Sequence, residues 1–144
     1  MDEHSPRVQQ AFVFFVQMGW TKEQAAGIVG NLQAESGVGL HYETAVGDGG
    51  TAFGLAQWRF ERVTTFYKVF GYPLKGSNLE DQLSYVHWEL NNTEKAAGNR
   101  LRNAKTAADA AAIVDQYYER SSGEARGLRI TYAQNILNRY GDTV

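Results

Sequence analysis

Hydrophobic positions recur at intervals of three and four residues along most of the chain, a spacing that predicts helices. The clearest case is the stretch from 79 to 90, where Leu79, Leu83, Val86 and Leu90 follow this period. Val, Ile and Thr never alternate with polar residues for long enough to predict more than a small hairpin within 38–55. The pattern therefore predicts a mostly α fold.

Capping residues and stop signals divide this pattern into about seven helices. The first runs from Ser5-Pro6 to near Gly19, the second from Thr21 with Gln24 to about Ser36, the third over 58–70, the fourth opens at Ser77 with Glu80, a short fifth starts at Thr93, the sixth runs from Thr106 with Asp109 to about Arg120, and the seventh ends at Tyr140-Gly141. No repeat or linker separates them, so we interpret residues 1–144 as a single domain.

Composition narrows the possible chemistry. A chain of 144 residues is long enough to bury a core without covalent staples, and the absence of cysteine rules out disulfides and Cys-based zinc sites. The three histidines show no metal-ligand spacing. We therefore predict no metal and no cofactor.

Charge is distributed unevenly along the chain. Residues 1–94 carry 6 basic and 11 acidic side chains, whereas residues 95–144 carry 8 and 5. The basic part contains no dense Lys/Arg run of the kind that binds nucleic acid. No stretch approaches the ~20 apolar residues of a membrane span, and the start lacks a signal peptide's basic segment. Nucleic acid and membrane are therefore not predicted as partners.

The segment from 37 to 54 differs from the helical pattern. It holds six of the chain's 15 glycines, within "AESGVGLHYETAVGDGG" at 34–50 and the residues after it. A glycine cluster of this density usually marks a special backbone path, although an ordinary surface loop is the alternative. No Gly-Lys-Ser/Thr follows, so it is not a phosphate-binding loop. We predict a glycine-rich loop or small hairpin at 37–55.

Two acids flank this loop. Glu35 follows Leu32 by three residues and Ile28 by seven, so it falls on the core-facing stripe of a helix and in its last turn. Burial and the negative helix end both favour its neutral form, which is the form that cleavage of a glycosidic bond requires, although a frayed helix end would leave it in water. Asp48, in a polar loop, suits the role of an ionised second carboxylate.

The stretch "ESGVGLHYETAVGDGGTAFGLAQW" (35–58) resembles the catalytic core of goose-type lysozymes and soluble lytic transglycosylases, and even more that of phage tail lysozyme domains. In these families a Glu-Ser at a helix end precedes a glycine-rich loop and a Gly-Leu-Met-Gln-like motif, here "GLAQ" at 54–57. The strong match covers about 25 residues. The resemblance implies a lysozyme-like fold.

The resemblance also implies roles for particular residues. Glu35 corresponds to the catalytic acid and Asp48 to the candidate second carboxylate, with Ser36 and Gln57 beside the sugar site. The goose-type pattern has a further Asp two residues after the Gln, where this chain has Arg59. That departure leaves the water-positioning role to Asp48 alone.

Two more residues are weaker candidates for substrate binding. Tyr118 lies in "QYYERSS" (116–122), which resembles the Tyr-containing third motif of transglycosylases and the Tyr-Glu of tail lysozymes. Gln82 is the second candidate. For both, packing inside the core is the alternative interpretation.

These observations imply an N-acetylmuramidase that hydrolyses the β-1,4 bond between N-acetylmuramic acid and N-acetylglucosamine in peptidoglycan. The alternatives are a lytic transglycosylase, which leaves 1,6-anhydro ends, and a non-catalytic cell-wall-binding virion module. The expected partners are peptidoglycan glycan strands, with other tail proteins as a further class. We expect the protein in a phage virion, or in the bacterial cytoplasm with delivery to the wall by another route.

Overall fold

The computed structural model describes residues 6–144 and is mostly helical. Its seven α-helices over this range are α1 (Pro6–Gln17), α2 (Lys22–Ser36), α3 (Glu61–Phe70), α4 (Leu79–Asn91), α5 (Lys95–Leu101), α6 (Ala107–Ile113) and α7 (Arg126–Tyr140). Strands β1 (Val46–Gly47) and β2 (Ala52–Phe53) form an antiparallel hairpin around a 3-10 turn at Asp48–Gly50. The mostly α prediction and the small hairpin are both confirmed. No helix in the described range is long and apolar enough to cross a membrane.

Helix starts agree with the capping signals in two places. Thr21 and Gln24 form the predicted capping box, with Thr21 Oγ1 accepting from the Gln24 amide at 3.1 Å and Gln24 Oε1 accepting from the Thr21 amide at 3.0 Å. Thr106 likewise caps α6 by accepting from the Asp109 amide at 3.0 Å. The proposed cap at Ser5 lies outside the described residues.

Three predicted starts are wrong. The fifth helix begins at Lys95, with Glu94 rather than Thr93 at its N-cap position. The other two have identifiable causes. Asn78, not Ser77, caps α4, because the Ser77 hydroxyl donates to the Leu74 carbonyl instead. The third helix begins at Glu61 rather than 58, because the Trp58 backbone pairs with Phe53 in an antiparallel bridge. In both places a tertiary or turn contact competes with the local helical signal.

Helix α2 runs through the centre of the molecule and packs mainly against α7 and α6. Two glycines make this close packing possible. A Cβ at Gly27 would lie 2.5 Å from the Ala110 Cβ, and one at Gly30 would lie 2.8 Å from the Ala133 amide nitrogen. Because α2 is held on nearly all sides, its C-terminal turn is a fixed platform for Glu35.

The hairpin loop is anchored to α4 by the buried Gln82. Gln82 Oε1 accepts from the Leu55 amide at 2.9 Å, while its Nε2 donates to the Tyr42 carbonyl at 3.2 Å and to Ser77 Oγ at 3.0 Å. A buried amide whose oxygen and nitrogen are both bonded holds its surroundings in one geometry. The loop after α2 is therefore ordered by contacts to the body of the fold.

Helix α6 continues without a break into a π-helical segment, Val114–Glu119, which ends at Arg120 in the left-handed conformation (φ 55°). The predicted extent of the sixth helix, to about Arg120, is thus confirmed. π-helical turns occur frequently at functional sites. This one brings Glu119 and Arg120 to the same cleft as the end of α2.

Candidate active site

A cleft of about 390 Å³ lies between the end of α2, the hairpin, the start of α3 and the end of the π segment. More than half of the residues that line it are acidic or basic. The lining comprises Glu35, Gly47, Asp48, Ala52, Gln57, Arg59, Phe60, Glu61, Arg62, Glu119, Arg120 and Ser121. A wider cavity of about 520 Å³ lies along the end of α7, but amide and aromatic side chains dominate its lining and no acid contributes to it. Chemistry therefore favours the first cleft.

Backbone strain is concentrated around the cleft. Five non-glycine residues of the described chain have positive φ, and four of them line the cleft: Asp48 (50°), Gln57 (54°), Phe60 (51°) and Arg120 (55°). Each such conformation costs on the order of 1–3 kcal/mol and persists only where the surroundings enforce it. The fold thus holds several cleft residues in unfavourable backbone conformations, as is common at active sites.

Glu35 lies in the last turn of α2 and opens into the cleft, with 19% of its side chain exposed. The helix is intact there, since the Gly37 amide donates to the Gln33 carbonyl at 2.9 Å. The frayed-end alternative is therefore wrong for this structure. Its Oε2 accepts a hydrogen bond from Arg129 Nη2 at 2.7 Å, a charged contact that no local sequence pattern indicates.

Arg129, on α7, is itself held by a buried network. Its Nη1 donates to Asn31 Oδ1 at 2.9 Å, and its Nε lies 3.1 Å from Asp115 Oδ1. Asp115 is fully buried and also accepts from Arg126 Nε at 2.8 Å. Because Arg129 is fixed from three directions, it can orient the Glu35 carboxyl group and stabilise a negative charge on it.

Asp48 also lines the cleft, on the hairpin turn. Its side chain is 59% exposed, and its Oδ2 accepts from Arg59 Nη1 at 2.7 Å. The turn itself is closed by the Asp48 main-chain carbonyl, which accepts from Thr51 Oγ1 at 2.9 Å. The carboxylate is thus paired across the rim rather than with the backbone of its own loop.

Beneath the cleft lies a buried acid, Glu89 of α4. Its carboxylate accepts from Arg62 through two nitrogens (2.8 and 2.9 Å), from Trp58 Nε1 at 2.8 Å and from the Tyr118 hydroxyl at 2.7 Å. Burial, together with the nearby negative charge of Glu89, raises the pKa of Tyr118 well above its ordinary value. Tyr118 therefore stays a neutral donor, and this cluster ties α3, α4 and the π segment together.

Three of the predicted substrate-binding residues are not in the cleft. Ser36 is buried and donates to the Leu32 carbonyl at 2.7 Å, Gln82 is buried against the loop, and Tyr118 is buried against Glu89. Their positions do not support contact with a substrate, because each is shielded from solvent and uses its polar atoms internally. We reinterpret them as structural residues, which for Gln82 and Tyr118 is the alternative that core packing offered.

Gln57 does line the cleft. Its Nε2 donates to the carbonyls of Ala45 and Gly54, both at 3.0 Å, so it also closes the base of the hairpin. The cleft therefore brings together Glu35, Asp48 and Gln57 of the predicted site residues.

Glu119 is a cleft residue that the sequence did not predict. It lies at the end of the π segment, and its Oε2 is shielded from solvent with no hydrogen-bond partner among the described residues. Burial, and then the negative charge of Glu35, raise its pKa well above the ordinary value. The only sequence signal is its place in the Tyr-Glu pair of "QYYERSS", where the tyrosine is the more obvious candidate for a sugar contact.

The chain matches a known protein family over most of its length. The family model described as Phage tail lysozyme matches residues 6–140, nearly the whole described chain. The chain belongs to the phage tail lysozyme family.

One curated relative extends the comparison. Morphogenesis protein 1 of Bacillus phage B103 is 28% identical to this tail lysozyme chain over an alignment that covers 99% of it. The same alignment covers 42% of the relative, so the chain spans less than half the length of that protein.

Proposed function

We propose that this tail lysozyme chain is an N-acetylmuramidase that hydrolyses the β-1,4 bond between N-acetylmuramic acid and N-acetylglucosamine in peptidoglycan. The observation that carries the proposal is Glu35, a mostly buried acid at a rigid helix end that opens into a cleft also lined by a second carboxylate, Asp48. Most glycoside hydrolases use a pair of carboxyl groups in one cleft.

In this proposal Glu35 is the general acid. Its proton goes to the glycosidic oxygen as the bond to the anomeric carbon breaks, and the electron pair of that bond stays with the departing oxygen. Glu35 is then a carboxylate, which Arg129 stabilises through the contact at 2.7 Å. Arg129 would thus act mainly after proton transfer, when the charge on Glu35 has developed.

Asp48 is assigned the second role. A carboxylate across the cleft can take the proton of a water whose oxygen bonds to the anomeric carbon. Its ion pair with Arg59 is exposed and therefore weak, so substrate can displace it. Gln57, on the same wall, is positioned for a polar contact to the sugar.

A lytic transglycosylase is the second candidate, and the Asp48–Arg59 pair favours it. An arginine that neutralises Asp48 makes it a poorer base for water. In that reaction Glu35 first gives its proton to the departing glycosidic oxygen as the glycosidic bond breaks. The C6 hydroxyl oxygen of the muramic acid then bonds to the anomeric carbon and its proton goes to the Glu35 carboxylate, so that the product carries a 1,6-anhydro ring. One carboxyl group then serves as both acid and base.

The setting of the reaction is part of the proposal. We infer that peptidoglycan glycan strands are the substrate and that the protein acts from the phage virion, with other tail proteins as neighbours. The family name and the printed name of the relative, a morphogenesis protein, support this setting.

Digestion of purified peptidoglycan followed by mass analysis of the released sugar ends tests the function. Reducing muramic acid ends are the expected result. Anhydro ends would replace hydrolysis by transglycosylation, and the absence of any release, with retained binding, would leave a non-catalytic wall-binding module.

The matched variant for this assay is Glu35→Gln, because the amide keeps the shape of the side chain but cannot donate the proton. Removal of a positioned general acid costs about 10²–10⁴-fold in rate. Glu124→Gln, which removes the same charge at an exposed position, is the control and should cleave normally. Near-normal cleavage by a folded Glu35→Gln protein would refute the assignment of Glu35.

A further inference from the structure

The floor of the cleft contains one more carboxyl group than it has arginine side chains. Four acids, Glu35, Glu89, Asp115 and Glu119, lie with three arginines, Arg62, Arg126 and Arg129. Glu89 is paired with two nitrogens of Arg62. Asp115 contacts both Arg126 and Arg129, and Arg129 also contacts Glu35. The neighbouring Arg120 is paired with Glu94, outside this group. One carboxyl group is left without a cation of its own, and that group is Glu119.

A surplus carboxylate in a shielded site is costly unless it binds a proton. The Oε2 atom of Glu119 is shielded and lacks a hydrogen-bond partner in the described chain, which fits a neutral carboxyl group better than an ionised one. The pKa of Glu119, raised by burial and then by the charge of Glu35, agrees with this geometry. The geometry and the direction of the pKa shift therefore both favour a proton on Glu119.

We propose that Glu119 is a positioning residue that holds this proton beside Glu35 and supplies it to the Glu35 carboxyl group before the glycosidic bond is cleaved. The inference rests on the proposed role of Glu35 as general acid. That role requires a proton on Glu35 while its carboxyl group contacts the positively charged Arg129 at 2.7 Å, and Glu119 is the group that would supply it.

The transfer conserves charge within the pair. The proton leaves the Glu119 oxygen and bonds to a Glu35 oxygen, so that Glu119 becomes the carboxylate and Glu35 the acid, and the pair keeps a charge of −1. Glu35 then gives the proton to the departing glycosidic oxygen. Water adds its oxygen to the anomeric carbon and loses its own proton to Asp48. Asp48 then releases that proton to solvent, and the pair takes one up from solvent.

The groups around Glu119 suit this exchange. The charges of Arg62 and Arg129 act on it in favour of its ionised form, whereas those of Glu35 and Glu89 act against it. Arg129 thus interacts electrostatically with both members of the pair and can stabilise whichever one is charged. Arg62 comes from α3, Glu89 from α4 and Arg129 from α7, so three elements besides α2 fix the field at this position.

The first test is the pH profile of peptidoglycan cleavage by Glu119→Gln, with Glu124→Gln as the control of equal charge. The amide is neutral and of the same shape but supplies no proton, so Glu35 must take its proton from solvent. We expect near wild-type rates at acidic pH. The alkaline limb of the pH profile should shift to lower pH by about one unit or more, because two coupled carboxyl groups shift each other's pKa by about that amount. On that limb the loss is about tenfold.

Glu119→Asp keeps a carboxyl group and should recover part of the activity at alkaline pH. If Glu119 were only structural, the shorter Asp would not restore activity at alkaline pH better than Gln does. An alkaline limb of Glu119→Gln that coincides with that of the wild type, with any loss equal at all pH values, would overturn the proposal.

The second test does not depend on activity. Carboxyl ¹³C signals of glutamate-labelled protein report the titration of Glu119, identified as the signal absent from Glu119→Gln. We expect Glu119 to be neutral at pH 7 in the wild type, and its titration to move to lower pH in Glu35→Gln, because the negative charge that opposes its ionisation is gone. An unchanged titration in Glu35→Gln would show that the two groups are not coupled.

The two tests separate this inference from the proposed function. A wild-type protein that releases no sugar ends would refute the function. Normal cleavage with uncoupled carboxyl groups would refute the role of Glu119 alone.

Discussion

The floor and the rim of the cleft are built from the same kind of contact but in different surroundings. On the floor, Glu89 is fully buried and Arg62 nearly so, and they meet at 2.8 Å. On the rim, Asp48 and Arg59 meet at 2.7 Å with about half of each side chain exposed. The distances are nearly equal, so distance does not distinguish them.

Solvation does. An exposed pair contributes about 0–1 kcal/mol and exchanges readily with water or ligand, whereas removal of one partner from a buried pair costs about 3–5 kcal/mol because the other charge stays buried. The floor is therefore a fixed charge arrangement that sets the field at Glu35 and Glu119. The rim is the part of the site that substrate can rearrange.

The largest expected effect is on the floor. Glu89→Gln leaves the guanidinium of Arg62 without its carboxylate, and we expect the free energy of unfolding, measured by urea denaturation, to fall by about 3–5 kcal/mol. Glu43→Gln is the matched control, since it breaks the Arg7–Glu43 pair, which has the same 2.8 Å contact but is exposed. That variant should lose no more than about 1 kcal/mol. Equal losses in the two variants would remove the distinction between buried and exposed pairs.

The next effect is catalytic and belongs to the rim. If Asp48 takes the proton of the attacking water, Asp48→Asn should lower hydrolysis by about 10²-fold, the lower end for a general base. The free energy of unfolding should change little, because the ion pair that Asp48 forms with Arg59 is exposed to solvent. A loss below about threefold, with anhydro ends among the products, would assign the reaction to transglycosylation by Glu35 alone.

The same division explains what could be predicted from sequence. The helical period and the Thr21 and Thr106 caps are local signals, and they placed most helices correctly. Glu35 and Asp48 lie 13 residues apart within one motif, so their shared cleft was also within reach of a local prediction.

The residues at the floor of the cleft could not be predicted from the sequence, for a physical reason. Glu89 and Arg129 are far from Glu35 in sequence and join the site only through helix packing. No spacing rule connects them, and each alone resembles an ordinary charged residue on a helix. The misplaced cap at Ser77 has a different, local cause, because its hydroxyl donates to the Leu74 carbonyl in the preceding turn.

A smaller, pH-dependent effect is expected at Glu119. Below its unfolded pKa of about 4.5 the group is protonated in both states, and its contribution to stability is fully present. As pH rises, the unfolded chain releases the proton while the folded protein keeps it, so stability falls by up to about 1.4 kcal/mol per pH unit until the raised folded pKa is passed. Glu119→Gln lacks this loss, so its stability relative to the wild type should increase from pH 5 to pH 8 in urea denaturation. A difference that stays constant over this range would contradict the raised pKa.

The smallest effect is expected at Arg59, where the rim pair can be broken from the basic side. Arg59→Gln releases Asp48 without removing it, and the free energy of unfolding should change by less than about 1 kcal/mol because both side chains are half exposed. If substrate must displace this pair, hydrolysis should rise, but by no more than about fivefold, since that is the rate equivalent of 1 kcal/mol. The gain should shrink as salt is added, because salt screens an exposed pair in the wild type as well. A tenfold loss of activity would instead identify Arg59 as a substrate contact. The Arg59 guanidinium would then bind the glycan directly, and the glycan would not need to displace the Asp48–Arg59 pair.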